Sequence, residues 1–307
     1  MSRRPESVAD LQQWLGEQAY LAGRGLATAV YLGLSLGQPV LLEGEAGVGK
    51  TEVAKALAPA LGARLVRLQC YEGIDANQAL YEWDYARQLV YLRSLTSASA
   101  APDDAAPADA ADDVFGERFL IERPLLTALR AGDDAVLLID EIDRADEEFE
   151  AFLLEMLSDF QVTIPEIGTI RADRPPVVVL TSNRTRELHD ALKRRCLYCW
   201  IDYPDLDHEA QVVRVRAPEV DSRLAAHVTA ATRRIRELDL VKRPGVAETI
   251  GWARAVSVLG KQLDAGRALD TLGAVVKDYD DVQEVTARLE WVIDGDRPAD
   301  VDRADVD

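Results

Sequence analysis

A chain of 307 residues is longer than one hydrophobic core usually absorbs, so a large and a smaller domain are expected. Hydrophobic residues make up 48%, ample for a sizeable core, while a formal net charge of −19 repels a phosphate backbone and disfavours non-specific nucleic-acid binding. Three cysteines are too few for a disulfide framework in a chain of this length.

The opening Met1-Ser2-Arg3-Arg4-Pro5-Glu6 is basic, but no apolar run follows it, and no secretory signal is read there. Leu26 to Leu36 is the longest mostly apolar stretch, short of the roughly 20 residues that span a bilayer, so the expected setting is the cytoplasm without membrane insertion. Residues 8–36 carry helical patterns that lead into the apolar run Pro39-Val40-Leu41-Leu42.

Next comes Gly44-Glu45-Ala46-Gly47-Val48-Gly49-Lys50-Thr51-Glu52, followed by Val53, Ala54, Leu57, Ala58 and Leu61 at the spacing of one helix face. The order strand, glycine loop, helix is that of a phosphate-binding P-loop. Glycines let backbone N–H groups turn toward phosphates, and the helix N-terminus adds partial positive charge. In that reading Lys50 reaches the β and γ phosphates of ATP and the Thr51 hydroxyl ligates Mg²⁺. An ordinary Gly-rich turn is the competing explanation, and the full pattern in this context disfavours it.

Arg64 to Gln69 alternates as a second strand. Residues 70–95 are rich in aromatics, with Tyr71, Tyr81, Trp83, Tyr85 and Tyr91 set among Glu72, Asp75, Glu82 and Asp84; packing or subunit contact is expected of them. Residues 96–113 are Ala- and Asp-rich with no large apolar side chain, and a mobile surface loop is expected.

Ala135 to Asp140 is a continuous apolar run that ends in Asp140-Glu141, as in a buried parallel strand with its polar end at the ligand edge. Asp140 is expected to hold the Mg²⁺ shell and Glu141 to polarise the attacking water. A helix with Phe149, Phe152, Leu153, Met156 and Leu157 on one face follows, then a hairpin over 160–172 around Pro165-Glu166. Val177 to Asn183 is a further apolar strand that ends polar, which puts Asn183 at the same sheet edge as Glu141. A helix over 186–195 ends in Lys193-Arg194-Arg195, and the Cys196 to Ile201 strand follows. Cys196 and Cys199, three apart on a strand, point to opposite faces and are read as buried thiols. From residue 209 the apolar spacing is helical throughout.

The P-loop, Asp140-Glu141, Asn183 and the basic helix end occur in the order and spacing of an AAA+ ATPase. Within that superfamily the chain resembles the MoxR group. Arg67 to Gly73 and Arg243 to Thr249 are similar to the branch that contains the carbon monoxide dehydrogenase accessory ATPase. The resemblance implies an α/β fold, a P-loop αβα sandwich with a five-stranded parallel sheet over residues 1–205, a helical lid over 206–293, and an acidic tail over 294–307. It also implies a ring, a hexamer, with Asn183 as sensor 1 and Arg194 or Arg195 as the arginine finger reaching the neighbour's γ-phosphate. Many family members carry a sensor 2 arginine just after a proline. Here Pro244-Gly245 stands at that place, with Arg243 or Lys242 on the other side of the proline to substitute.

The expected activity is Mg²⁺-dependent ATP hydrolysis by a chaperone that remodels or matures a partner, with a von Willebrand factor A domain protein and a client metalloenzyme as partners. A nucleic-acid motor using the hairpin as a wedge is the main rival; against it the hairpin tip bears Glu166 and no lysine. A monomeric P-loop small-molecule kinase is the other.

Overall fold

The computed structural model describes residues 3–98 and 114–295. Residues 99–113, most of the expected Ala/Asp-rich loop, and 296–307, most of the acidic tail, lie outside the described residues. Contacts divide the chain into two units. The first comprises residues up to 18, 22–43 and 51–200; the second comprises 19–21, 44–50 and 201 onward.

In the first unit α1 (Val8–Glu17) and α2 (Arg24–Leu36) precede β1 (Val40–Gly44), and α3 (Lys50–Leu61) and β2 (Arg64–Gln69) follow it. A short α4 (Ala76–Leu80), β3 (Tyr81–Trp83) and α5 (Tyr85–Ala98) come next. After the undescribed segment come β4 (Leu120–Glu122), α6 (Pro124–Ala131), β5 (Ala135–Asp140) and α7 (Glu147–Asp159). The unit closes with β6 (Gln161–Ile164), β7 (Gly168–Arg171), β8 (Val177–Ser182), α8 (Asp190–Arg195) and β9 (Leu197–Ile201).

Five strands form one sheet in the order β2-β5-β8-β1-β9. The pairs β2/β5, β5/β8 and β8/β1 are parallel. All six residues of β5 are buried, as a central strand covered on both faces requires. At the edge, β2 alternates instead, with Val66 and Leu68 inward and Arg67 and Gln69 outward. This register sets the site, because Gln69 is the cross-strand partner of Asp140 and Ile139 that of Leu180.

The aromatic segment splits between two roles. Tyr81, Trp83 and Phe115 stack edge to face with centroids 5.9 and 5.4 Å apart, whereas Tyr71 and Tyr85 are exposed. The hairpin forms as β6 and β7, antiparallel, with Ile164 opposite Gly168.

Two expectations need correction. Residues 96–98 are the last turn of α5 rather than the start of a loop, since no glycine or proline stands between Tyr85 and Ala98 to end the helix earlier. The helix expected over 186–195 begins only at Asp190. Arg184 adopts φ 57°, the Thr185 N–H and hydroxyl both donate to Asp143, and Arg186 donates to the Ala145 carbonyl, so the preceding backbone is committed elsewhere.

The second unit is helical beyond residue 205: α9 (Leu206–Arg216), α10 (Ser222–Arg236), α11 (Val246–Leu259), α12 (Ala265–Val275), α13 (Tyr279–Ala287) and α14 (Leu289–Asp294). Its core gathers Val213, Val228, Ile235, Trp252, Leu272 and Val292. No helix among the described residues is long and apolar enough to cross a membrane.

Candidate functional site

β1 delivers the chain to the loop Gly44–Gly49, and α3 begins at Lys50. Gly47 and Gly49 take φ 78° and 94°, values that L side chains rarely adopt, and this lets successive N–H groups turn one way. Lys50 is buried, and its Nζ donates to the Gly44 and Glu45 carbonyls at 2.8 and 2.7 Å, curling the loop around the ammonium. Glu45 and Ala46 are exposed, Val48 is buried, and Glu52 pairs with Lys55 on the first turn of α3.

The second unit builds a brace for this loop. A Cβ on Gly245 would lie 2.5 Å from the Gly47 Cα, so the two backbones touch, and the Val246 N–H donates to the Gly47 carbonyl at 2.9 Å. Gly245 occupies the place after Pro244 where a sensor 2 arginine is expected, and nothing larger fits there against the loop. Glu248 accepts from the Gly245 N–H at 3.0 Å and caps α11. Arg243 is exposed; burial above all pushes the Tyr203 phenol up, and the charges of Arg236 and then Arg243 partly oppose that rise. Arg236 was not marked by the sequence. Its guanidinium forks onto Glu209, donates to the Pro244 carbonyl and lies over the Tyr203 ring at 4.3 Å.

At the carboxyl edge of the sheet in the first unit, Asp140 is 2% exposed. Its Oδ1 accepts from the Thr51 hydroxyl at 2.9 Å and the Thr181 hydroxyl at 2.6 Å. Its Oδ2 accepts from Arg67 Nη2 at 2.6 Å and Nε at 3.1 Å. Because Thr51 gives its proton to Asp140, its oxygen lone pairs face away. A hydroxyl and a carboxylate are hard oxygen donors, the limited protein contribution that Mg²⁺ takes beside water and phosphate oxygens, so the residues fit the ion. Among the described residues no cluster of three or more His, Cys, Asp or Glu could hold a metal on protein ligands alone.

Glu141 follows in a left-handed conformation, φ 55° and ψ 52°, an unfavourable backbone for a non-glycine residue that costs of order 1–3 kcal/mol. Its N–H is held by the Thr181 hydroxyl at 2.9 Å. Its Oε2 accepts from Gln69 Nε2 at 3.0 Å and Arg144 at 3.2 Å, and the Asn183 amide lies 3.5 Å from Oε1. Asp143 accepts from the Asn183 and Thr185 N–H groups and so fixes the turn that carries Asn183, while its buried Oδ1 has no hydrogen-bond partner among the described residues. A cleft of about 730 Å³ opens beside this group, lined by Glu141, Asp143, Arg144, Asn183 and Arg186 among others.

The structure thus gathers Thr51, Asp140, Glu141 and Asn183, and adds Thr181, Arg67 and Gln69. Arg194 and Arg195 lie at the C-terminal end of α8. Arg195 bonds the Ser158 hydroxyl; Arg194 is exposed, with no hydrogen bond or ion pair among the described residues.

Cys70 lies beneath the acids, its N–H on the Asp140 carbonyl at 2.8 Å. Burial, then the charges of Asp140, Asp143 and Glu141, push its thiol up from an ordinary 9.0 to about 12. A value raised on folding contributes stability that is whole below pH 9.0 and lost as pH climbs toward about 12. Urea unfolding of the wild type is expected to weaken across that window, and Cys70→Ala, which keeps the similarly raised Cys196, to weaken less steeply. Equal slopes would remove Cys70 from the account.

The model of the AAA domain family, dynein-related subfamily, matches residues 39–196. The chain is similar to gas vesicle ATPase GvpN of Haloferax mediterranei, 23% identical over 278 residues that cover 85% of this chain and 75% of that protein. Chaperone protein ClpB 2 of Parasynechococcus marenigrum is 33% identical over 143 residues, 47% of this chain and 13% of the other. Among solved structures, a RuvB mutant of Thermotoga maritima aligns over 96% of this chain and 82% of its own, with a TM-score of 0.51 and 17% identity, a likeness of fold alone.

Proposed function

This chain belongs to the AAA domain family, dynein-related subfamily, and is an ATPase; from that premise we propose that it is a MoxR-type remodelling ATPase whose site a second copy completes. The observation that carries the reading is the pairing of a nearly complete hydrolytic group, Thr51, Asp140, Glu141 and Asn183, with an Arg194 that has no hydrogen bond or ion pair among the described residues.

The N–H groups of Gly44–Thr51 bind the phosphates of ATP, and the Lys50 ammonium exchanges its carbonyl partners for them. Thr51 and Asp140 hold magnesium, which supplies positive charge to the phosphate oxygens when bound. Glu141 accepts a proton from the attacking water, and Asn183, whose amide faces Glu141, orients that water against the γ-phosphate. Arg194 acts on the γ-phosphate of a neighbour in a ring, a hexamer in the MoxR reading; Arg195, engaged by Ser158, is the less available of the two. Arg243 lies beside Tyr203 and serves as the cation near the nucleotide in place of a sensor 2 arginine.

The finer placement, a maturation ATPase working with a von Willebrand factor A domain protein on a client metalloenzyme, follows from the runs Arg67 to Gly73 and Arg243 to Thr249 alone. The first run carries the side chains that grip Asp140 and Glu141, and the second carries the glycine that meets Gly47. A cytoplasmic setting belongs to the same reading.

Activity per chain is expected to rise with protein concentration, and Arg194→Ala titrated into wild type to depress activity more than dilution does. Activity per chain that stays flat, with Arg194→Ala acting only as a diluent, would show a site complete in one chain and turn the reading toward a monomeric P-loop kinase.

A further inference from the structure

The cation-binding carboxylate is held on both sides, and one of the holders comes from the edge of the sheet. Thr51 and Thr181 bind Oδ1 of Asp140, while Arg67 binds Oδ2 through two nitrogens. The Arg67 side chain is 47% exposed and that of Asp140 only 3%, so a solvent-facing cation reaches inward to a buried acid. Its strand does not require this, because the outward face of β2 is satisfied by water with any polar residue. Arg67 also donates to the Gln69 side chain, whose amide donates in turn to Glu141, so one guanidinium touches the positions of both acids.

Two physical consequences follow from a fork on the far oxygen. The planar guanidinium fixes the rotation of the carboxylate and leaves Oδ1 on the Thr51 side. Its positive charge also offsets the carboxylate, and a divalent ion approaching Oδ1 meets a pair near neutrality rather than a lone anion.

We propose that Arg67 is a positioning residue for the magnesium site, orienting Asp140 through its fork and weakening the site for free divalent ions, so that the cation enters only with nucleotide phosphates. This rests on the nucleotide-site reading above. It assigns to the edge strand a role that the P-loop and the two acids do not supply, keeping the site too weak to hold the bare metal so that it fills only when nucleotide phosphates add their own oxygens.

The test is Mn²⁺ titration of the full chain, with and without ADP, followed by electron paramagnetic resonance. The wild type is expected to bind Mn²⁺ with ADP and to show little binding without it. Arg67→Gln removes the charge and is expected to bind Mn²⁺ about tenfold more tightly, with ADP and without, the size expected for removing a unit charge a few ångströms from a divalent ion in a largely aqueous setting. Arg67→Lys keeps the charge but not the fork, so its Mn²⁺ affinity is expected to stay close to wild type. In both variants kcat is expected to fall while KM for ATP holds, because orientation of the acids matters to the reaction more than to binding.

Unchanged or weakened Mn²⁺ affinity in Arg67→Gln overturns the proposal, as does tightening in Arg67→Lys equal to that in Arg67→Gln. Failure of the wild type to bind Mn²⁺ with ADP overturns the nucleotide-site reading and this inference with it, so the two failures are distinct.

Discussion

Glu141→Gln is expected to lower steady-state ATP hydrolysis by about 10²–10⁴-fold, the span of a lost general base, while nucleotide binding is retained. The substitution is close to isosteric. Gln69 and Arg144 donate to Oε2, and a glutamine Oε1 placed there keeps both bonds, so the side chain holds its place while losing the capacity to take a proton and the long contact with the Asn183 amide. The backbone at this position points the same way. A non-glycine residue at φ 55° is held there by the bond from its own N–H to Thr181, and that strain is maintained at the end of the most deeply buried strand in the sheet. Glu141→Ala removes the acceptor for Gln69 and Arg144 as well, and is expected to lose the same catalytic factor together with some order in the site. Phosphate release under saturating ATP gives the rate, and ATP retained on the isolated protein gives the binding. A Glu141→Gln rate within a few-fold of wild type would remove Glu141 from the role of base.

What the sequence made legible and what it hid have different physical origins. Gly44 to Thr51 and Asp140-Glu141 were readable because their chemistry follows directly from local backbone order: apolar strand, turn, helix or acid. Asn183 was readable as the polar end of a strand, and the structure sets its amide near Glu141. Thr181 was not marked, and Arg67 and Gln69 stood out only within a family-like run and not as site residues, although all three hold the acids in place. Thr181 is 41 residues from Asp140 and Arg67 is 73, and such contacts arise only from the strand order β2-β5-β8 and its register.

Gly245 shows the same limit in another form. A family pattern predicts an arginine after Pro244, whereas the position answers to steric exclusion by the Gly47 backbone, which periodicity does not express. The overlong helix over 186–195 failed for a related reason. Thr185 and Arg186 have good helical neighbours, yet their polar groups are taken by Asp143 and Ala145 from a distant segment.

Arg236 was equally invisible, one of several arginines along α10, and it is the residue whose loss is expected to cost the second unit most. Its side chain is 9% exposed and that of Glu209 1%, with both guanidinium–carboxylate contacts at 2.7 Å. Thr249 donates to Glu209 at 2.7 Å and accepts from Arg236 at 3.1 Å, so the acid has three donors and no water is needed to satisfy it. Arg236→Met leaves Glu209 charged, buried and short of partners, and such broken pairs cost about 3–5 kcal/mol. Replacing both, Arg236→Met with Glu209→Leu, removes the stranded charge along with the pair. Well-packed apolar substitutes for buried ion pairs are often neutral, so the double variant is expected to recover most of the loss.

Function is expected to part from stability in that double variant. Arg236 also donates to the Pro244 carbonyl at 2.7 Å, and Pro244 directly precedes the Gly245 that lies on Gly47. Without that bond the turn bracing the P-loop is less fixed, so ATP affinity is expected to stay reduced after stability has returned. Urea unfolding of the wild type, both single variants and the double gives the coupling energy, and ATP binding to the same four proteins gives the functional half. If the double variant is no more stable than Arg236→Met, the cost lies in lost packing over Tyr203 rather than in the stranded charge. If its ATP affinity returns with its stability, the Pro244 bond contributes nothing to the loop.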